Sequence, residues 1–274
     1  MAEILVLANK TIDGAKLLDA IRERNQQGDA RFHVVVPLTR PRHGNVIYDE
    51  AVRDSAQVRV DLALAFMREE GIEGTGEVGD GDPLNAAKDA LAEHGIDEII
   101  VSTLPAQSSG WMKRDLLEAL EGETGLPVNH VVVDLAREGL PFDVTLVVAN
   151  QTAAGGALVK RLEALAEEGP RRFIVVVPQD HGEGHAVRAA RERLGKLLAS
   201  LEADGIVAVG MIGDPDPYDA TMNAVQFFHI SDIVISTLPR DESKWMADKL
   251  VDRVRTATNK RVEHVEASAD PVEA

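Results

Sequence analysis

Leu5-Val6-Leu7-Ala8-Asn9 returns almost unchanged as Leu146-Val147-Val148-Ala149-Asn150, a shift of 141 residues (146 − 5). Phe32 and Val34-Val35-Val36-Pro37 return at the same shift as Phe173 and Val175-Val176-Val177-Pro178. Further along, Gly79-Asp80-Gly81-Asp82-Pro83 matches Gly213-Asp214-Pro215-Asp216-Pro217, now at a shift of 134 (213 − 79). That second shift holds to the end of each copy: Ser102-Thr103-Leu104-Pro105 pairs with Ser236-Thr237-Leu238-Pro239, Trp111 with Trp245, and His130 with His264. The chain is a tandem duplication. The period is far longer than that of solenoid repeats, so each copy is expected to hold its own core. Gly139 and Pro141 punctuate the junction, which divides the 274 residues into domains 1–139 and 140–274.

Within each copy, short aliphatic runs alternate with stretches of helical period. Ile4–Ala8, Phe32–Val36, Ile99–Ser102 and Val128–Val133 show little polar alternation, as strands covered on both faces do. Val52, Ala56, Val60, Ala63 and Met67 recur every three or four residues and form one apolar stripe, and Leu158, Leu162 and Leu165 do the same in the second copy. Asp82-Pro83 and Asp216-Pro217 place a capping carboxylate before a proline whose missing N–H costs nothing at a helix start. Alternation of this kind predicts an α/β fold with a doubly wound parallel sheet in each copy, crossovers right-handed and helices on both faces. The third strand, near Gly74–Val78 and Ile206–Met211, carries the faintest signal.

Composition narrows the function. A net charge of −17 repels phosphate backbones and anionic lipid, so no nucleic-acid or membrane partner is expected. Hydrophobic residues make up 45%, enough for packed cores. Cysteine is absent, which removes disulfides, zinc-thiolate centres and thiol nucleophiles. No apolar run approaches the roughly 18 residues of a membrane span, and the N-terminus has no signal-peptide pattern, so a cytoplasmic protein is expected.

The order of these landmarks, with a closing Leu-Pro-Val-x-His-Val strand, resembles the universal stress protein family within the wider HUP superfamily, over nearly the whole chain as two tandem copies. The resemblance implies five-stranded sheets of order 3-2-1-4-5, paired through their last strands. It also implies a stress-response role and, in many members, ATP held by a Gly-x2-Gly-x9-Gly-(Ser/Thr) loop after the fourth strand. Here the three glycine positions are Ser102, Pro105 and Asp115, followed by Leu116; in the second copy they are Ser236, Pro239 and Lys249, followed by Leu250. Glycine lets backbone N–H groups close on a phosphate, whereas proline offers no N–H and fixes its own φ. Asn9 and Asn150 stand where the family carries a carboxylate near adenine, and an amide can still bond a base.

Hydroxyls at a strand's carboxyl end suit a ligand cradle at the sheet edge, and equally a strand-to-helix turn. The candidate ligand pocket is Asn9, Thr11, Val35, Ser102, Thr103, Ser108 and Ser109, with Asn150, Thr152, Ser236 and Thr237 in the second copy. Lys113 and Arg114, expected in the first turn of the fourth helix, favour the first copy for an anionic ligand. Trp111 and Trp245 serve either helix packing or base stacking. His181 and His185 share a Gly-rich loop, and the first copy offers only His43 there, so no metal site is expected. His130 and His264 on the last strands fit an intrachain domain pairing, pH-sensitive if the imidazoles meet; association of whole chains is open.

No nucleophile elbow, Walker loop, HExxH or dinucleotide fingerprint is present, and no catalytic residue is assigned. The expectation is a non-enzymatic stress-related binding or regulatory protein without resident cofactor and without glycine-loop ATP binding. The alternatives are an ATP- or AMP-binding protein with a Ser/Thr loop, mainly in the first domain, and a small-metabolite phosphohydrolase.

Overall fold

The computed structural model describes residues 1–39, 49–106, 108–109, 111, 116–153, 155–179, 185–239 and 242–267, the side chains of 49, 50, 185 and 186 excepted. His43, Lys113, Arg114, Asp115 and His181, all named above, lie outside the described residues, as does the His185 side chain. The first copy runs β1 (Ala2–Leu7), α1 (Ala15–Gln26), β2 (Ala30–Pro37), α2 (Asp49–Glu69), β3 (Gly74–Gly79), α3 (Pro83–Glu93), β4 (Glu98–Thr103), α4 (Leu116–Thr124) and β5 (Val128–Val132). A short α5 (Leu135–Glu138) leads into the second: β6 (Asp143–Val148), α6 (Gly156–Glu167), β7 (Arg171–Pro178), α7 (His185–Ala203), β8 (Ala208–Gly213), α8 (Pro217–Phe227) and β9 (Asp232–Thr237). α9 (Lys244–Ala247), α10 (Leu250–Ala257) and β10 (Arg261–Glu266) complete it.

Each copy forms a parallel five-stranded sheet, β3-β2-β1-β4-β5 in the first and β10-β9-β6-β7-β8 in the second. Both are the expected 3-2-1-4-5 order. The register repeats with the sequence: Leu7 pairs Val35 and Val101, and Val148 pairs Val176 and Ile235. Two compact units divide at Pro141 and Phe142, and the opening turns of α2, as far as Asp54, group with the second unit.

The apolar periodicity marks buried surface. Val52, Ala56, Val60, Ala63 and Met67 are all buried on α2, and Val58, Leu62, Ala65 and Phe66 widen that face beyond one stripe. In the second unit Phe173, Val175 and Val177 of β7 pack with Leu158, Leu162 and Leu165 of α6 and Leu197 and Leu201 of α7. In the first, Leu5, Leu7 and Val35 pack with Ala86, Ala87 and Ala90 of α3 and Leu116 and Leu120 of α4.

The repeated Gly-Asp-x-Asp-Pro motif is structural. Asp82 accepts from Leu84 N at 2.9 Å, and Asp216 from Tyr218 N at 2.7 Å, each capping the helix that its proline opens. Asp80 and Asp214 brace the same turns by accepting from the N–H of Asp82 and Asp216. The glycine is needed for closeness: a Cβ at Gly79 would stand 2.7 Å from Ala86 Cβ, and one at Gly213 would stand 2.7 Å from Ala220 Cβ.

Candidate functional site

In a 3-2-1-4-5 sheet the chain reverses its direction of growth between β1 and β4. The crevice at their carboxyl ends is where open α/β folds take ligands. Asn9, Thr11 and Ser102 of the first copy lie at these strand ends. Thr11 Oγ1, on the turn after β1, donates to the Ser102 carbonyl at 3.2 Å and ties that turn to the end of β4. Asn9 donates through Nδ2 to the Pro37 carbonyl at 2.5 Å and to Thr39 Oγ1 at 2.8 Å, bridging β1 to the end of β2. Val35 does not face this edge: it sits in the apolar core with Leu5 and Leu7.

Two polar atoms of this crevice have no hydrogen-bond partner among the described residues: Asn9 Oδ1 and Ser102 Oγ, both buried. Leaving such a group unsatisfied costs about 1–3 kcal/mol. Ser236 Oγ, at the matching position of the second copy, is in the same state, and Thr152 Oγ1 joins it. Recurrence at equivalent places in two diverged copies marks unspent hydrogen-bonding capacity at the switch point of both sheets.

After β4 and β9, described N–H groups turn back onto a proline carbonyl. Ser108 N and Ser109 N both donate to the Pro105 carbonyl, at 2.8 and 2.9 Å. Glu242 N and Ser243 N donate to the Pro239 carbonyl, each at 2.9 Å. The N–H groups of Ser108, Ser109, Glu242 and Ser243 are therefore spent within their turns. Ser108 is exposed and Ser109 buried. Ser243 Oγ caps α9 by accepting from Met246 N at 3.3 Å. Lys249, at the third glycine position, holds a left-handed backbone (φ 54°, ψ 37°) that splits the fourth helix of this copy into α9 and α10. The conformation costs a non-glycine residue roughly 1–2 kcal/mol. Trp111 packs against the core of α3 and α4, as a packing role requires.

The last-strand histidines bond inward. His130 Nε2 lies 2.9 Å from Thr103 Oγ1, and His264 Nε2 lies 2.8 Å from Thr237 Oγ1, so each copy links its fourth and fifth strands in the same way. Burial lowers the His130 pKa from its ordinary value. A histidine harder to protonate folded than unfolded adds stability that is full above the unfolded pKa of about 6.5 and is lost as pH falls toward the lowered folded value. His130→Gln should flatten the acid limb of a stability–pH curve from urea melts. Curves that run parallel to wild type from about pH 5.5 to 8 would remove this role.

No family model and no curated protein matches this chain. Among solved structures, a universal stress protein from Archaeoglobus fulgidus DSM 4304 aligns with 97% of this chain and 98% of its own, at 14% identity and a TM-score of 0.36. MurG from Acinetobacter baumannii aligns with 99% and 87%, at 10% identity and a TM-score of 0.23. Neither superposition is close enough to assign a function. Among the described residues no helix is long and apolar enough to cross a membrane.

Proposed function

We propose that this chain is a non-enzymatic binding or regulatory protein of the tandem universal stress type, taking a small polar ligand at the β1–β4 crevice rather than ATP on a glycine loop. The observation that carries the reading is that Ser108, Ser109, Glu242 and Ser243 give their N–H groups to the Pro105 and Pro239 carbonyls, which leaves these four donors unable to bind a triphosphate. Asn9 Oδ1 and Ser102 Oγ support a polar ligand, since a bonded partner would recover the cost of their burial. The same two atoms favour, as second reading, an AMP- or ATP-binding site built from Asn9, Thr11 and the Ser/Thr loop, because an amide and a hydroxyl can bond a base or ribose.

Calorimetric titration of the intact chain with ATP, AMP and a cyclic nucleotide separates the two. The expected result is no saturable response to ATP in wild type or in Ser102→Glu. A saturable micromolar ATP response, abolished by Ser102→Glu, would overturn the first reading in favour of the second.

A further inference from the structure

A second polar cluster lies in the first unit, between β3 and the end of α3. Glu77, Glu93 and His94 each bring one ligand atom to a common point, all within 4.8 Å of one another. Donors around a tetrahedral zinc, with bonds of about 2.0–2.2 Å, stand roughly 3.3 Å apart, so small side-chain rotations close the set. Among the described residues neither the Glu77 nor the Glu93 side chain makes a hydrogen bond or ion pair, so the two carboxylates converge without a cation from those residues. Like charges placed so close repel, and a bound divalent ion removes that cost.

His94 is also oriented. Its ring stacks on His33 at 4.3 Å between centroids and 14° between planes. His33 is buried and held through both nitrogens, Nε2 2.8 Å from Glu3 Oε2 and Nδ1 2.8 Å from Thr75 Oγ1. A ring held this way fixes its stacking partner, as outer groups do around a metal-bound histidine.

The duplication supplies an internal control. At the two repeat shifts, Glu3, His33, Thr75, Glu77, Glu93 and His94 become Val144, Ile174, Val209, Met211, Phe227 and Phe228. Met211 and Phe227 are buried there, and Phe227 packs against Phe228. The fold closes this corner with apolar side chains in one copy, so building the corner does not require the polar set of the other.

We infer that the first unit carries a binding site for a first-row divalent metal ion of the zinc class, with Glu77, Glu93 and His94 as protein ligands. One imidazole and two carboxylates suit zinc better than magnesium or calcium, which favour all-oxygen cages. Three protein ligands leave a position for water or a small anion, and the ion staples the edge strand β3 to the end of α3. The site is separate from the β1–β4 crevice, and its test does not depend on what binds there.

The test is calorimetric titration of the chelator-treated full chain with zinc, in millimolar magnesium to occupy the general acidic surface. One tight equivalent is expected, with Tm raised by zinc. Glu77→Gln and His94→Gln should each weaken it at least tenfold. His94→Phe, which copies Phe228, keeps the test open if either amide variant folds poorly. His181→Gln with His185→Gln should leave the tight equivalent intact. Wild-type affinity in Glu77→Gln and His94→Gln, loss of the equivalent in the His181/His185 variant, or full displacement by magnesium would each overturn the assignment.

Discussion

Phe173→Ala should lower unfolding stability by about 3–5 kcal/mol, read as a lower urea midpoint at unchanged slope in the transition that carries the second unit. Phe173 is fully buried on β7, within a core built from α6, α7 and the strand's own valines. Removing the ring deletes its transfer free energy and leaves a cavity that β-branched neighbours on a hydrogen-bonded sheet fill poorly. Phe173→Leu, which keeps most of the volume, should cost much less. Phe32, fully buried at the matching place in the first copy, should give a loss of the same order in the other transition. Equal midpoints for wild type and Phe173→Ala would mean that this face is not packed as described.

Arg171→Ala should cost a comparable amount, about 3–5 kcal/mol, for a different reason. Arg171 opens β7 with its side chain 7% exposed, donating to Thr145 Oγ1 at 2.6 Å and Asp232 Oδ2 at 2.7 Å. It thereby ties the starts of β7, β6 and β9 together. Truncation leaves the Asp232 carboxylate, 18% exposed, without its cation in a poorly solvated position. Arg171→Met combined with Asp232→Leu should recover most of the loss, because no uncompensated charge remains. If the double variant is as unstable as Arg171→Ala alone, the loss comes from packing and not from charge. The first copy solves the same problem otherwise: Ala30 takes the Arg171 position, and Glu98, which matches Asp232, pairs with Arg24 of α1 at 2.8 Å.

The candidate site was legible in part. Hydroxyls and amides at the ends of β1 and β4 stood out because strand ends and the order of elements are local properties, repeated twice. Thr11, Ser102 and Asn9 do gather at one edge. Val35 was misleading, because a residue next to a strand's end can face either side, and only pairing with Leu7 and packing on α3 decides which. The cluster of Glu77, Glu93 and His94 had a signal of its own: a comparison of the copies shows six polar residues replaced by six apolar ones. That signal says where the copies differ, and nothing about whether the six meet.

By itself the sequence determined the duplication, the alternation of strand and helix, the parallel sheets and the capped starts of α3 and α8. Each of these depends on periodicity or on neighbours a few residues apart, and is therefore written locally. Only the structure decided the rest: that the Pro105 and Pro239 carbonyls accept from Ser108, Ser109, Glu242 and Ser243 N–H, that Ser102 Oγ is buried without a partner among the described residues, and that Lys249 takes a left-handed turn. It also brought Glu77 to Glu93 and stacked His33 on His94. The burial of Ser102 and the meeting of Glu77, Glu93, His33 and His94 rest on register and on the packing of elements far apart in the chain, where a slip of one strand residue would turn each strand side chain to the opposite face.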